Sequence, residues 1–366
     1  MIASFFICFS LITPARAETV FTSENEVDVH YKKQIPLYLQ HDLGDVSLTG
    51  WNQDLIRVKF KKSVTSDTEA NAKIVFDQFD LISLETPNDI ELRIGTPQGT
   101  DLLTKLRNRQ QKKKIKVDLE IKAPATLALT LVLGATQKLK LSQWKGKVNI
   151  TGSQNALDLA KMRMTEPLNV NCPDCSFSSS DSEFSGSILV SNQKIDIKKT
   201  SATPHAILIS SQKGEVDLDG TDGDFQIRTQ SGDVNSTKHL GTLQVQSDSG
   251  KIKIAALRGD LDIQTQTGTI SIDADKIKKQ IELKNRSGEI EINLDHEFTG
   301  EINLQSLNGE VSTNFSLQKD KKKMEMLYGP ELKGRLFGSI GNKSGVSVNA
   351  TSDSGKISLK QKELPQ

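Results

Sequence analysis

Ser249-Gly250-Lys251-Ile252-Lys253-Ile254 is answered one period later by Thr267-Gly268-Thr269-Ile270-Ser271-Ile272. The phrase is a small polar residue, Gly, any residue, a β-branched residue, any residue, an aliphatic. Ser287-Gly288-Glu289-Ile290-Glu291-Ile292 and Ser354-Gly355-Lys356-Ile357-Ser358-Leu359 repeat it, and weaker copies begin at Lys213-Gly214, Ser231-Gly232 and Asn308-Gly309. From Gly214 to Gly309 these glycines recur with a period of about 18–21 residues, the mark of an architecture of stacked repeats.

Aliphatic ladders run in phase with the glycines. One is Leu243/Val245, Leu261/Ile263, Ile281/Leu283 and Ile302/Leu304; a second is Ile252/Ile254, Ile270/Ile272 and Ile290/Ile292. Leu240, Leu257, Ile277 and Phe298 mark a third inward position. Alternation within each pair predicts strands with one face turned inward. Each period then supplies two short strands and one further inward residue, the coil of a single-stranded β-solenoid (β-helix) in an all-β fold. Gly214, Gly232, Gly250, Gly268, Gly288, Gly309 and Gly355 supply its sharp turns. Each buried aliphatic contributes about 1.5–3 kcal/mol. Ordering entropy cancels most of that within one coil, so coils need neighbours and the ends need caps.

The rest of the chain divides around these repeats. Residues 1–17 read as a signal peptide: Ile2 to Ile12 form an apolar core and Ala15-Arg16-Ala17 a small-x-small cleavage site. The apolar run is too short to span a bilayer, and no later segment of the mature chain is apolar enough to do so. Residues 18–114 form an N-terminal strand and helix region, a small α+β cap. In it, Glu26 to Leu39 and Ile56 to Phe60 alternate as strands, and Ile90 to Ile94 returns to strand. Ser66 to Asp80 is the one expected helix, with Ser66 or Asp67 as cap and Ala70, Ile74, Val75 and Phe79 at helical spacing. Residues 115–313 hold the solenoid repeats. Residues 314–366 hold a loop, Asn314 to Asn342, and terminal coils that form a C-terminal cap.

The whole-chain balance excludes some partners. Without the leader, 46 basic face 46 acidic residues, which gives no field for a nucleic acid or a highly charged substrate. Lys105, Arg107, Arg109, Lys112, Lys113, Lys114 and Lys116 form the one strong charge run, best read as a solvated excursion. No aromatics interleave with it, so it is no platform for single-stranded nucleic acid.

The order of these features resembles the adhesin-like β-strand-repeat family of exported bacterial proteins, a domain of unknown function. Gly44-Asp45-Val46-Ser47-Leu48-Thr49-Gly50-Trp51 followed by Ile56-Arg57-Val58 resembles its entry, and Val117 to Pro124 its step into the repeats. Gly345-Val346-Ser347-Val348 through Leu359 resembles its terminal coils. Asp158 to Thr203 fits the pattern poorly. The resemblance implies export and a cell-envelope or surface role, and it supplies no catalytic residues and no cofactor.

Little else carries chemistry. Cys172 and Cys175, in Cys-Pro-Asp-Cys, are candidates for a local disulfide in an exported chain; the motif lacks the βαβ setting of a redox pair. Asp217, Asp219, Asp222 and Asp224, broken by Gly220 and Gly223, are a weak calcium candidate, and we expect no metal. Arg258-Gly259-Asp260 reads as a structural corner. The five histidines, His30, His41, His205, His239 and His296, form no nucleophile or metal signature.

The expectation is a non-enzymatic exported protein of the periplasm or cell surface, a β-solenoid for adhesion or binding. Its polar outer faces, such as Gln264, Thr265, Gln266 and Thr267, would meet a surface glycan. The alternative is a periplasmic structural or regulatory protein that binds another envelope protein. A polysaccharide-active β-helix enzyme is a distant third, since the coils lack the long loops that carry such sites.

Overall fold

The computed structural model describes residues 19–30, 35–77, 79–95, 115–134, 137–318, 334–341 and 345–362. The leader, the basic run before Lys116 and most of the expected loop after Asn314, including 319–333, lie outside the described residues. What is described is all-β with a single helix.

Strands pair in parallel with the strand two places onward in the chain. Val148–Thr151 pairs with Leu168–Asn171, which pairs with Glu183–Leu189. The intervening strands do the same: Ala156–Ala160 pairs with Ser176–Ser180, and Ser176–Ser180 with Ile195–Lys198. Two parallel ladders therefore run side by side, and each layer advances about 18–21 residues along the chain, one repeat period. The registers Leu243↔Leu261↔Ile281 and Ile252↔Ile270↔Ile290 set like residues above one another. Their side chains are buried, so the alternating residues between them face outward.

The stretch Asp158 to Thr203, which fits the repeat poorly as sequence, belongs to the same ladders. Beside aliphatics such as Leu168, Val170, Ile195 and Ile197, its inward positions hold Phe177, Phe184, Met162, Met164, Cys172 and Cys175, all buried. Bulky and sulfur-bearing residues there share the packing with Ile, Leu and Val, which blurs the period but not the fold.

Both ends depart from chain order. At the first end Leu37 is flanked in register by Ile90 on one side and Leu129 on the other, and Val46 by Leu119 and Leu139. The layer nearest the N-terminus is thus second in the stack. At the other end Ser347–Ser352 lies between the strand Ile270–Ser287 and Gly300–Ser306. Ile357–Gln361 likewise lies between Ile290–Leu294 and Val311–Thr313. The expected contact of Ile281/Leu283 with Ile302/Leu304 is therefore replaced: Val348 and Ala350 stand between them. Beyond each end layer the pairing turns antiparallel. Ile90–Gly95 meets Asp80–Glu85, Ile115–Pro124 meets Ile56–Ser66, which meets Thr19–Val29, and Gly300–Ser306 meets Arg335–Ile340. Such hairpins blunt the open edges that a parallel stack presents.

Corner columns define the layers. A Cβ on Gly232, Gly250, Gly268 or Gly288 would press on the carbonyl of the corner glycine beneath it, from Gly214 upward, so no larger residue fits. Three positions before each corner glycine sits a buried polar residue: Ser211, Thr229, Ser247, Thr265, Asn285, Ser352 or Ser306. Ser211 Oγ donates to the Gly214 carbonyl at 3.1 Å, and Thr229 Oγ1 accepts from the Gly232 amide at 3.0 Å. These hydroxyls satisfy backbone groups that the sharp turn leaves unpaired.

The opposite corner is left-handed, mostly without glycine. Gln143, Lys161, Asp181, Lys199, Lys238 and Ala256 have φ between 45° and 57°, joined by Gly220 at 62°. The residue after each is swung inward and buried: Trp144, Met162, Ser182, Thr200, Thr221, His239 and Leu257. This corrects the third inward column. Leu240 is 43% exposed and pairs with Arg258, whereas its neighbour His239 is fully buried.

The helix spans Glu69–Phe76, and Thr68 rather than Ser66 or Asp67 is its N-cap, its hydroxyl accepting from the Asn71 amide at 3.3 Å. Its buried face centres on Ala72, and Ile74 is exposed. A helix of this length stands on tertiary contact with the strand Ile56–Ser66 rather than on propensity.

Candidate binding surfaces

The two ladders present different outer faces. Outside the ladder that runs from Leu129–Leu133 through Leu240–Ser247, successive layers carry Asn149, Asn169, Ser187, Leu208, Gln226 and Gln244. Asn169 Nδ2 donates to Asn149 Oδ1 at 3.0 Å and Ser187 Oγ to Asn169 Oδ1 at 3.1 Å, so amides and hydroxyls link layer to layer. Outside the other ladder the row is Lys140, Asp158, Ser178, Asp196, Asp217, Asn235 and Lys253. The first row is uncharged, with Leu208 its one apolar member; the second mixes acidic, basic and neutral side chains.

On the charged face the acids are already engaged. Lys194 pairs with Asp217 and lies 3.4 Å from Glu215, and the contact with Asp217 raises the lysine's pKa. Asn235 Nδ2 donates to Asp217 at 2.9 Å. Asp217, Asp219, Asp222 and Asp224 do not converge: among the described residues no cluster of acidic, His or Cys side chains could hold a metal ion. Asp260 of the Arg-Gly-Asp sequence accepts from the backbone amides of Lys279 at 2.6 Å and Gln280 at 3.2 Å. A Cβ on Gly259 would overlap the Gly241 carbonyl, so this tripeptide is built into the strand.

A larger hollow, ≈ 580 Å³, crosses the antiparallel end at Thr19–Val29, Ile56–Ser66 and Ile115–Pro124 and reaches Lys138 and Lys140. Its strands alternate in sign. Lys59 lies 3.4 Å from Glu26, Lys61 3.4 Å from Glu24, and Arg57 2.8 Å from Asp28. Lys116 lies 3.0 Å from both Asp45 and Asp118, hydrogen bonds that raise its pKa. Cross-strand pairs of this kind hold register; a ligand would have to displace them.

Two internal features carry no access to solvent. Cys172 and Cys175 are fully buried with Cα atoms 5.3 Å apart, within the span of a disulfide, and the backbone N–H of Asn155 donates to Cys175 Sγ at 3.2 Å. His239 Nδ1 lies 2.9 Å from Thr221 Oγ1, and its ring meets Phe225 edge-on at 5.5 Å. Burial lowers the pKa of His239 to about 4. It also lowers that of His41, whose Nε2 lies 2.8 Å from the Val117 carbonyl.

Of the outer-face residues singled out in the sequence, Gln264, Gln266 and Thr267 are exposed but Thr265 is buried, its hydroxyl donating to the Thr267 carbonyl at 3.0 Å. What sequence reasoning missed is the uncharged column from Asn149 to Gln244, whose signal was an amide or hydroxyl one residue after the inward aliphatic in every layer but that of Leu208. Among the described residues no helix is long and apolar enough to cross a membrane.

The family model described as Toastrack DUF4097 matches residues 104–359. No curated protein matches. A solved structure from Clostridium sporogenes, of a protein provisionally named for cell adhesion, is similar over 93% of this chain and 100% of that one, at 11% identity and a TM-score of 0.22. One from Parabacteroides distasonis, provisionally named a lipid binding protein, is similar over 93% and 97%, at 11% identity and a TM-score of 0.28. One from Parabacteroides merdae, provisionally named an adhesin, is similar over 93% and 96%, at 8% identity and a TM-score of 0.24.

Proposed function

The chain belongs to the Toastrack DUF4097 family, and from that premise we propose that it is a non-enzymatic binding protein of the exported cell envelope. In this reading the layers are coils of a single-stranded β-solenoid, about 18–21 residues each, and the protein adheres through one long outer face. The observation that carries the reading is the column from Asn149 to Gln244, amides and hydroxyls interrupted only by Leu208, repeated at the spacing of the layers and uncharged at each of these positions. A flat, periodic, neutral polar surface suits an extended ligand better than a small substrate, which needs an enclosed pocket.

Protease shaving of intact cells, followed with an antibody to the mature chain, tests the location. Loss of signal supports adhesion at the surface. Protection that is lost only when the outer layer is disrupted overturns surface adhesion and favours the second reading, a periplasmic protein that holds an envelope partner. That second reading has its own observation. The strand Thr19–Val29 pairs, among the described residues, only with Ile56–Ser66, an edge at which a strand from a partner could add.

A further inference from the structure

Beyond Gln226 the neutral face deepens into a groove that follows the stacking direction. A recess of ≈ 110 Å³ lined by Gln226, Gln244 and Asp262 runs into one of ≈ 390 Å³ lined by Lys284, Arg286 and Thr351, and the two share Gln246 and Gln264. We infer that this groove is a binding site for a linear neutral polysaccharide lying along the stack, one sugar residue to each layer. The inference rests on the binding-protein reading above and names its ligand class and its site.

The hydrogen-bonding chemistry points to sugar hydroxyls. Gln244, Gln246 and Gln264 each offer a donor and an acceptor on one side chain, and none of these side-chain amides is used in a hydrogen bond among the described residues. Asp262 Oδ1 is buried and has no hydrogen-bond partner. Asp262 itself lines the recess, and its carboxylate accepts a sugar hydroxyl there in a short charge-assisted bond.

Charge gives acidic chains no advantage. Arg228, Lys284 and Arg286 line the groove against Asp248, Asp262 and Asp353, an equal number of each sign, and Lys284 is held 3.3 Å from Glu282. Nothing in that balance favours a polyanion.

Geometry supplies the repeat. Adjacent layers stand about 4.8 Å apart, close to the length of one pyranose ring in a chain, so equivalent groups recur as the sugars do. No aromatic side chain lines either recess. Single sugars are therefore held weakly, and affinity grows with the number of layers engaged.

Affinity electrophoresis of the full mature chain through gels containing soluble xylan, mixed-linkage β-glucan or galactomannan tests this, with polygalacturonate as the acidic comparison. We expect retardation by at least one neutral polymer. The matching hexasaccharide should compete at least tenfold better than the disaccharide. Gln244→Ala/Gln246→Ala/Gln264→Ala should weaken binding at least tenfold with an unchanged Tm, and Asp262→Asn should weaken it on its own. Asn235→Ala/Lys253→Ala on the charged face should leave it intact. Retardation by polygalacturonate alone, by no neutral polymer, or undiminished in the triple variant would overturn the site. Surface location in the shaving experiment would then still support adhesion, through another ligand.

Discussion

Gly355 stacks directly on Gly288, although Gly309 comes between them in the chain, and Gly309 stacks in turn on Gly355. The last repeat in the sequence is therefore interposed between its two predecessors. The N-terminal end mirrors this, with Leu37 between Ile90 and Leu129. At both ends the outermost parallel layer is a neighbour in sequence of an antiparallel hairpin, so the stack is closed by chain that cannot continue it.

This order can be trapped with cysteines. Asn349 is in register with Glu282 on one side and Asn303 on the other. Residues in adjacent layers lie about 4.8 Å apart, within disulfide reach, whereas those two layers apart lie beyond it. Glu282→Cys/Asn349→Cys should cross-link under mild oxidation, and Glu282→Cys/Asn303→Cys should not. The reverse pattern on non-reducing gels would restore the sequential stack.

The two corner types respond oppositely to substitution. Ala256 holds φ at 54° with no glycine to ease it, and a left-handed L-residue costs about 1–2 kcal/mol. Ala256→Gly should be stabilising by up to about 1 kcal/mol after the entropy of the added glycine is counted. Gly268 has φ at 121°, and a Cβ there would overlap the Gly250 carbonyl; Gly268→Ala should cost about 2–4 kcal/mol. Urea denaturation of the two variants reads both signs, and a destabilised Ala256→Gly would contradict the left-handed column.

Parity along the strand gives a sharper test of register. Ile270 is 1% exposed and stacks between Ile252 and Ile290, whereas Ser271 faces outward between Lys253 and Glu291. Ile270→Asp buries a charge and removes an aliphatic, a loss of at least about 3 kcal/mol. Ser271→Asp should change stability by less than about 1 kcal/mol. Similar melting temperatures for the two variants would sink this register.

How much of this was legible depended on how each position solves its local problem. The corner glycines and the Ile and Leu ladders were legible because only one kind of residue fits a clashing turn or an aliphatic stack. The left-handed corner was not, since Lys238, Asp181 and Gln143 occupy it at a strain that no residue type announces. Asp158 to Thr203 escaped because Phe177, the two cysteines and the buried Ser179, Ser182 and Ser185 interrupt its aliphatic pattern. The interposed end layers escaped for a different reason: period fixes which residues are equivalent, not which layers touch. The groove at Gln244, Gln246 and Gln264 was half-visible, as a polar outer face read one residue too broadly at Thr265.

The cysteine pair has a simple chemical readout. Cys172 and Cys175 are both fully buried, and the loop they would close is short, so a disulfide there would contribute about 2 kcal/mol by chain entropy. Intact mass of the purified mature chain should be lower by two hydrogens than that of the reduced chain. Alkylation after dithiothreitol should proceed only once the protein is denatured. Rapid labelling of the native protein would show that these sulfurs are accessible thiols.

His239 makes stability depend on pH in a stated direction. The ring is fully buried against Phe225, Asp222, Asp224 and Lys278 act on it by charge, and its pKa falls from 6.5 to about 4, chiefly through burial. As pH drops below 6.5 the unfolded chain takes up this proton while the folded chain does not, so stability is complete above that value and is lost progressively down to about 4. A shift of that size is worth about 3 kcal/mol at the acid limit. His41 is lowered as well and adds a slope in the same direction. His239→Gln, which keeps a partner for Thr221, should therefore lose less stability than the parent chain between neutral pH and pH 4, even if it is weaker at pH 7. His205→Gln, on the exposed bulge of the strand Ser201–Ser210, should follow the parent. Parallel curves for parent and His239→Gln in urea titrations across this range would show that the buried imidazole is not what acid acts on.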